Sequence, residues 1–282
     1  MNKNKPVSSG KHREKPVFTQ RRTVGNSLPI ERRNSERTFI IENPNSFSPI
    51  VSPEDLAALE EYKKGDPIKQ LFDLSKFELD KPIVDDEEAS VIKSFYEKNT
   101  LNNNKDDHSW IQTFSGRKFF PLNPYIDAIV IQDIAHSLSM QCRFTGHCKF
   151  FYSIAQHCVL VSYLCDEIDQ LHGLLHDASE AYLTDIPSPL KRTPEFSFYK
   201  VAEKHLQSMI YRRFGLSEQE PASVKRADVL MLSTEATNLF QHLHSEWKVP
   251  CPPLPIEIKP MTPAEAEKLF LDRFDVLFKK AA

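Results

Sequence analysis

The segment Leu174–Lys191, LLHDASEAYLTDIPSPLK, gathers His176, Asp177, Glu180, Asp185 and Lys191 between apolar flanks. Buried His, Asp and Glu side chains in one helix require pairing or a metal ion. Adjacent His and Asp do not share a helical face, but both reach one point at a helix edge, with Glu180 one turn further on. Taken alone, these residues fit a solvated helix face with a satisfied core histidine as well as they fit a ligand-bearing helix. His157 upstream and Asp228 downstream change the balance. A divalent ion needs imidazole nitrogens and carboxylate oxygens converging from several helices, because no single helix can surround it.

The elements that must position these residues are helical. Leu174, Leu175, Ala178, Ala181, Tyr182 and Leu183 predict one helix over 171–183, broken by Pro187 and Pro189. A helix beginning at Ile131 carries Ile134, Leu138 and Cys142 inward, with Arg143 at its end before Gly146 and His147. Another, over 152–166, carries His157. Longer helices are expected over 196–214, closed by Gly215, and over 224–243, with Asp228 at the edge of its apolar stripe. PCPPLP (250–255) can only be a crossing segment, and an amphipathic helix starts near Thr262 and Pro263. WIQTFSGRKFFPL, from Trp110, reads as two short strands around Ser115 and Gly116.

The chain has 282 residues, and its 40% hydrophobic content suffices for one substantial core plus an appendage. Gly is scarce, Leu- and Ala-containing segments dominate after position 130, and no glycine-rich phosphate loop is present, so the class is all-α. A net charge of −3 gives no general reason for nucleic-acid binding. The five cysteines form no CxxC pair and suit a reducing compartment. No apolar run approaches the ~20 residues that span a bilayer, and the N-terminus lacks a secretory apolar core, so a cytoplasmic protein without membrane contact is expected.

Three regions are expected along the chain: a disordered basic tail over 1–50, a short helical acidic extension and linker over 51–107, and a chemistry-bearing domain over 108–282. The tail's Arg21–Arg22 and Arg32–Arg33 pairs are solvated or meet nucleic acid or an acidic protein partner. In the extension, Val91, Ile92, Phe95 and Tyr96 form an apolar stripe on DDEEASVIKSFYEK.

His157, the His176–Asp177 doublet and Asp228 resemble the metal-binding set of the HD-domain phosphohydrolases. HDASEAYLTDIPSPLK is similar to the corresponding stretch of bacterial 5′-deoxynucleotidases. SGR (Ser115–Arg117), IAHSLS (134–139), CRFTGH (Cys142–His147) and FYSIAQH (Phe151–His157) resemble more closely the small HD deoxynucleoside triphosphate triphosphohydrolases. The likeness runs from about Trp110 to the C-terminus and leaves out the first hundred residues. It implies an all-α HD-domain bundle with a small β-hairpin at its N-terminal edge, preceded by a partly disordered extension. It also implies one divalent metal ion (Mn, Co, Fe, Ni, Zn or Mg) on His157, His176, Asp177 and Asp228.

By the same resemblance Glu180 moves a proton to the leaving oxygen, Asp185 orients a water, and Arg143, His147 and Lys191 contact phosphate. His172 is expected in a helix-surface or ligand-supporting role, and His136 as a structural histidine. The expected activity is hydrolysis of a phosphate ester of a (deoxy)nucleotide, as a dNTP triphosphohydrolase or a 5′-nucleotidase, in a self-associating protein. The alternative is a regulatory or nucleic-acid- or nucleotide-binding protein on the same scaffold, with a structural metal.

Overall fold

The computed structural model describes residues 109–281. The expected basic tail and acidic extension lie outside the described residues. Within them the chain is helical apart from one antiparallel hairpin, β1 (Ile111–Gln112) and β2 (Lys118–Phe119), with Ile111 opposite Phe119 and Gln112 opposite Lys118. The hairpin turns at Gly116, whose φ of +80° suits a residue without a Cβ. Its tip is held from below: the Ser115 N–H and Oγ donate to the Asp133 carboxylate at 2.6 and 2.8 Å.

Asp133 belongs to α1 (Ile131–Met140), which ends before Arg143 rather than at it. Arg143 instead opens a separate 3₁₀ turn, Arg143–Gly146, in which Phe144 and Thr145 both take φ of +53°. The next helix, α2 (Ile154–Leu164), starts at Ser153, whose Oγ accepts from Gln156 N–H at 3.1 Å. Nearly every residue of α2 is buried, as expected of a helix apolar on all sides at the centre of a bundle. One core cluster, with Ile134, Leu138, Leu206 and Phe270, lies on one side of it. A second, with Leu160, Val161, Leu230 and Leu254, lies on the other.

The helix expected over 171–183 is two helices, α3 (Gln170–Leu175) and α4 (Glu180–Leu183). Between them the chain passes through a tight turn in which Ala178, Glu180 and Tyr182 each donate three residues back. No Pro or Gly marks this interruption. The break is tertiary, because the side chain of Gln207 meets both Leu175 C=O and Ser179 N–H. Gly173, in α3, lies so close to α2 that a Cβ there would meet Cys165 Sγ at 2.5 Å and Ser162 Cα at 3.2 Å.

After the short α5 (Ser188–Lys191), α6 (Ser197–Arg213) closes with Gly215 at φ +75° and a Leu216 N–H bond back to Tyr211 C=O at 2.9 Å. Then α7 (Ala222–Leu239) crosses α2 and stops before the expected 243. The proline-rich segment is pinned to α7 where its remaining N–H groups allow. Cys251, Leu254 and Ile258 donate to Ser233 Oγ, Thr234 Oγ1 and Asn238 Oδ1 at 3.3, 3.0 and 3.0 Å. Finally α8 (Pro263–Ala281) begins with a reciprocal cap between Thr262 and Glu265 and buries Ala266, Phe270, Phe274 and Leu277. Among the described residues no helix is long and apolar enough to cross a membrane.

Candidate metal centre

Three helices bring the donors together. His157 projects from the middle of α2, His176 and Asp177 from the turn between α3 and α4, and Asp228 from α7. His157 Nε2 lies 3.2 Å from His176 Nε2, 3.6 Å from Asp177 Oδ2 and 3.5 Å from Asp228 Oδ1, and His176 Nε2 lies 3.3 Å from Asp177 Oδ2. The donors of His157, His176 and Asp177 all lie within 4.8 Å of one another, while Asp228 joins this group through His157. Ligands ~2.0–2.2 Å from one ion are separated from each other by about 3.0–3.6 Å, which is the spacing of these pairs.

The other edge of each imidazole is already engaged. His157 Nδ1 meets Glu235 Oε1 at 2.5 Å, and His176 Nδ1 meets Gly173 C=O at 2.8 Å. The Nδ1 edges of both rings are thus occupied, and both Nε2 atoms face a common point. The residues present thus fit a divalent ion, and His157, His176 and Asp177 could hold one.

Glu235 was not foreseen from the sequence. It lies seven residues after Asp228 on α7, on the same face, and is fully buried. Its second oxygen accepts from Arg143 Nε and Nη2 at 3.2 and 3.1 Å, and Oε1 also accepts from Tyr152 Oη at 2.8 Å. The one signal for it in sequence was an isolated acid two turns on from Asp228 in an otherwise apolar stretch.

Arg143, expected to bring positive charge to phosphate oxygens, is tied into the donor cluster. One edge of its guanidinium is committed to Glu235, and Nη1 lies 3.5 Å from Asp177 Oδ2. His147 is exposed at the end of the 3₁₀ turn and is not brought to the donor cluster. His172 is buried rather than on the surface: its Nε2 meets Ser217 at 3.2 Å and its ring packs on Tyr211. His136 is structural, bonded to Glu267 at 3.0 Å and stacked on Phe114.

A second group flanks the donors. Glu180, at the first turn of α4, is buried, and its Oε2 has no hydrogen-bond partner among the described residues. Lys191 Nζ lies 2.8 Å from Glu203, 3.7 Å from Glu180 and 3.9 Å from Asp185. Glu203, on α6, was also missed. It had no signal beyond being a polar residue on an amphipathic helix.

The carboxylates divide electrostatically. Burial would raise Asp177, but His176, His157 and Arg143 outweigh it and hold that carboxyl well below the usual range. Asp228 is depressed in the same way against burial by His157 and Lys225, and Glu235 against burial by Arg143, His157 and Tyr152. Glu180 goes the other way: burial, then the charges of Asp177 and Asp185, raise it well above the ordinary glutamate value, and Lys191 offsets this only in part. One carboxyl pushed up thus stands beside three that are held low.

No family model matches the sequence. "Uncharacterized protein YfdR" of Escherichia coli K12 is 42% identical over 174 residues, covering 60% of this chain and 96% of that protein. "Uncharacterized protein RCAP_rcc00048" of Rhodobacter capsulatus is 34% identical over 128 residues, covering 42% of this chain and 65% of that protein. With 42% identity over nearly the whole length of YfdR, the chain belongs to the YfdR family.

Proposed function

We propose that this chain is a metal-dependent phosphohydrolase of the HD type, its helical body an HD-domain bundle, acting on a phosphate ester of a deoxynucleotide. The observation that carries the reading is the convergence of His157, His176 and Asp177 donors, with Asp228 3.5 Å from His157, beside a buried Glu180 whose Oε2 has no hydrogen-bond partner among the described residues. A divalent ion held there supplies a Lewis acid and an acidified water at neutral pH.

The chain's own residues do the rest. Glu180 gives its proton to the leaving oxygen as the P–O bond breaks, and its unpartnered Oε2 is free for that contact. Lys191, kept charged by Glu203, Glu180 and Asp185 against the effect of burial, faces the phosphate oxygens from the same side as Glu180. Asp185, 3.9 Å from Lys191, orients water at the mouth of the site. Arg143, held by Glu235, serves as a fixed positive charge beside Asp177. His147, on the turn that carries Arg143, contacts phosphate only if that turn closes over the substrate.

The test is a panel of deoxynucleoside and nucleoside mono- and triphosphates incubated with the full chain and Mn²⁺, Co²⁺, Ni²⁺, Fe²⁺, Zn²⁺ or Mg²⁺. Release of phosphate identifies a 5′-nucleotidase, and release of triphosphate a triphosphohydrolase. Absence of metal-dependent turnover on every substrate would count against the reading.

A further inference from the structure

In an uninterrupted helix the N–H of Ser179 would donate to the C=O of Leu175, four residues back. Here the carboxamide of Gln207 is spliced into that bond. Gln207 Nε2 donates to Leu175 C=O at 2.7 Å, and Ser179 N–H donates to Gln207 Oε1 at 3.0 Å. A side chain from α6 has replaced one rung of the ladder between α3 and α4. The two residues enclosed next to Leu175 are His176 and Asp177.

Insertion of a polar group into the i→i−4 ladder is a recognised cause of helix kinks, and no Pro or Gly is present here to produce one. On a regular helix, adjacent side chains diverge by about 100°. At the opened turn, His176 Nε2 and Asp177 Oδ2 lie 3.3 Å apart. Gln207 touches neither donor. Its two backbone hydrogen bonds run to the peptide groups that bracket them.

We propose that Gln207 is a positioning residue for the metal centre: its amide wedges open the helix at the His176–Asp177 doublet so that both donors aim at one point. The proposal rests on the metal-site reading. In the wild-type chain a helix rung is given up for metal geometry, so restoring the rung costs metal affinity without costing fold stability.

Gln207→Met keeps the length of the side chain and removes both hydrogen bonds, so that Ser179 N–H can return to Leu175 C=O, which also accepts from Ala178 N–H at 3.0 Å. The full chain, with and without this change, is titrated with Co²⁺ alone, followed by visible absorption, and the metal-free proteins are unfolded thermally. A fall in Co²⁺ affinity of roughly 10-fold or more, with the metal-free midpoint held or raised, is the expected result. Equal Co²⁺ affinity in wild type and variant overturns the role of Gln207, whatever happens to the midpoint. Absence of Co²⁺ binding in the wild type overturns the metal site itself. Should Gln207→Met fold poorly, Gln207→Asn keeps the amide but is one methylene too short to span both peptide groups; its expected affinity is also below wild type, and wild-type affinity in a folded Asn variant overturns the proposal.

Discussion

Glu235 Oε1 and His157 Nδ1 meet at 2.5 Å with both side chains fully buried. This pairing sets which nitrogen of His157 faces the other donors, and it anchors Arg143 through the second oxygen of the same carboxylate. One buried acid therefore sets both the imidazole and the nearest permanent positive charge. Glu235→Gln is expected to lower divalent-metal affinity by about 10–100-fold, the usual range when a ligand's supporting partner is removed. Calorimetric titration with Mn²⁺ checks this, and unchanged affinity would mean that His157 is oriented by packing alone.

Asp177 is the carboxylate that reaches both histidines. Asp177→Ala is expected to abolish metal-dependent hydrolysis while leaving helical circular dichroism intact. Full activity in that variant would sink the metal-site reading.

For Glu180→Gln, metal affinity is expected to hold while turnover falls by about 10²–10⁴-fold, the typical contribution of a positioned acid. As a proton donor the wild-type residue works below its raised pKa, so wild-type turnover should decline as pH rises through that value. The variant should lack this limb of the pH–rate profile. A profile of unchanged shape would remove the proton-donor role.

Glu180 also makes a prediction about stability. The fold holds its proton more tightly than the unfolded chain does. The group therefore contributes stability that is fully present below the ordinary glutamate value and is lost as pH rises through the raised one. At neutral pH, in the absence of added metal, Glu180→Gln should melt above wild type, with the gap closing as pH is lowered. Thermal unfolding at several pH values measures the difference, and a variant less stable at every pH would contradict it.

Gly173 allows α2 and α3 to approach closely enough for His157 and His176 to meet. Its added Cβ would press on the Ser162 backbone, which cannot rotate away as the Cys165 thiol can. Gly173→Ala is expected to destabilise the fold by about 1–3 kcal/mol, as overpacking does. Urea denaturation tests this, and a neutral effect would show that the two helices are free to slide.

Much of this was legible in the sequence because periodicity reports burial. The hairpin at Ser115–Gly116, the helices carrying His157 and Asp228, the crossing segment and the C-terminal helix are where their patterns place them. The donors were legible because imidazole and carboxylate side chains in apolar helices need a reason to be there. The break at His176–Ser179 was not legible, since its cause is an amide 28 residues beyond Ser179, on another helix, and local pattern carries no trace of it. The partners of Arg143 were not legible for a related reason. A sequence shows a cation near a site but not the buried acid, Glu235, that claims one edge of it. Glu203 and Gln207 look like ordinary polar positions of an amphipathic helix until α6 is packed against its neighbours.

The donors are scattered along the chain: 19 residues separate His157 from His176, and α7 must return across α2 before Asp228 comes near. No short peptide from this protein carries the set. An ion that prefers the assembled set selects the finished fold rather than nucleating it, and at a free concentration of 100 times its Kd would stabilise that fold by about 2.7 kcal/mol. Metal supply would then act on how much of the chain persists against proteolysis as well as on how fast it turns over, making protein abundance a gauge of the ion.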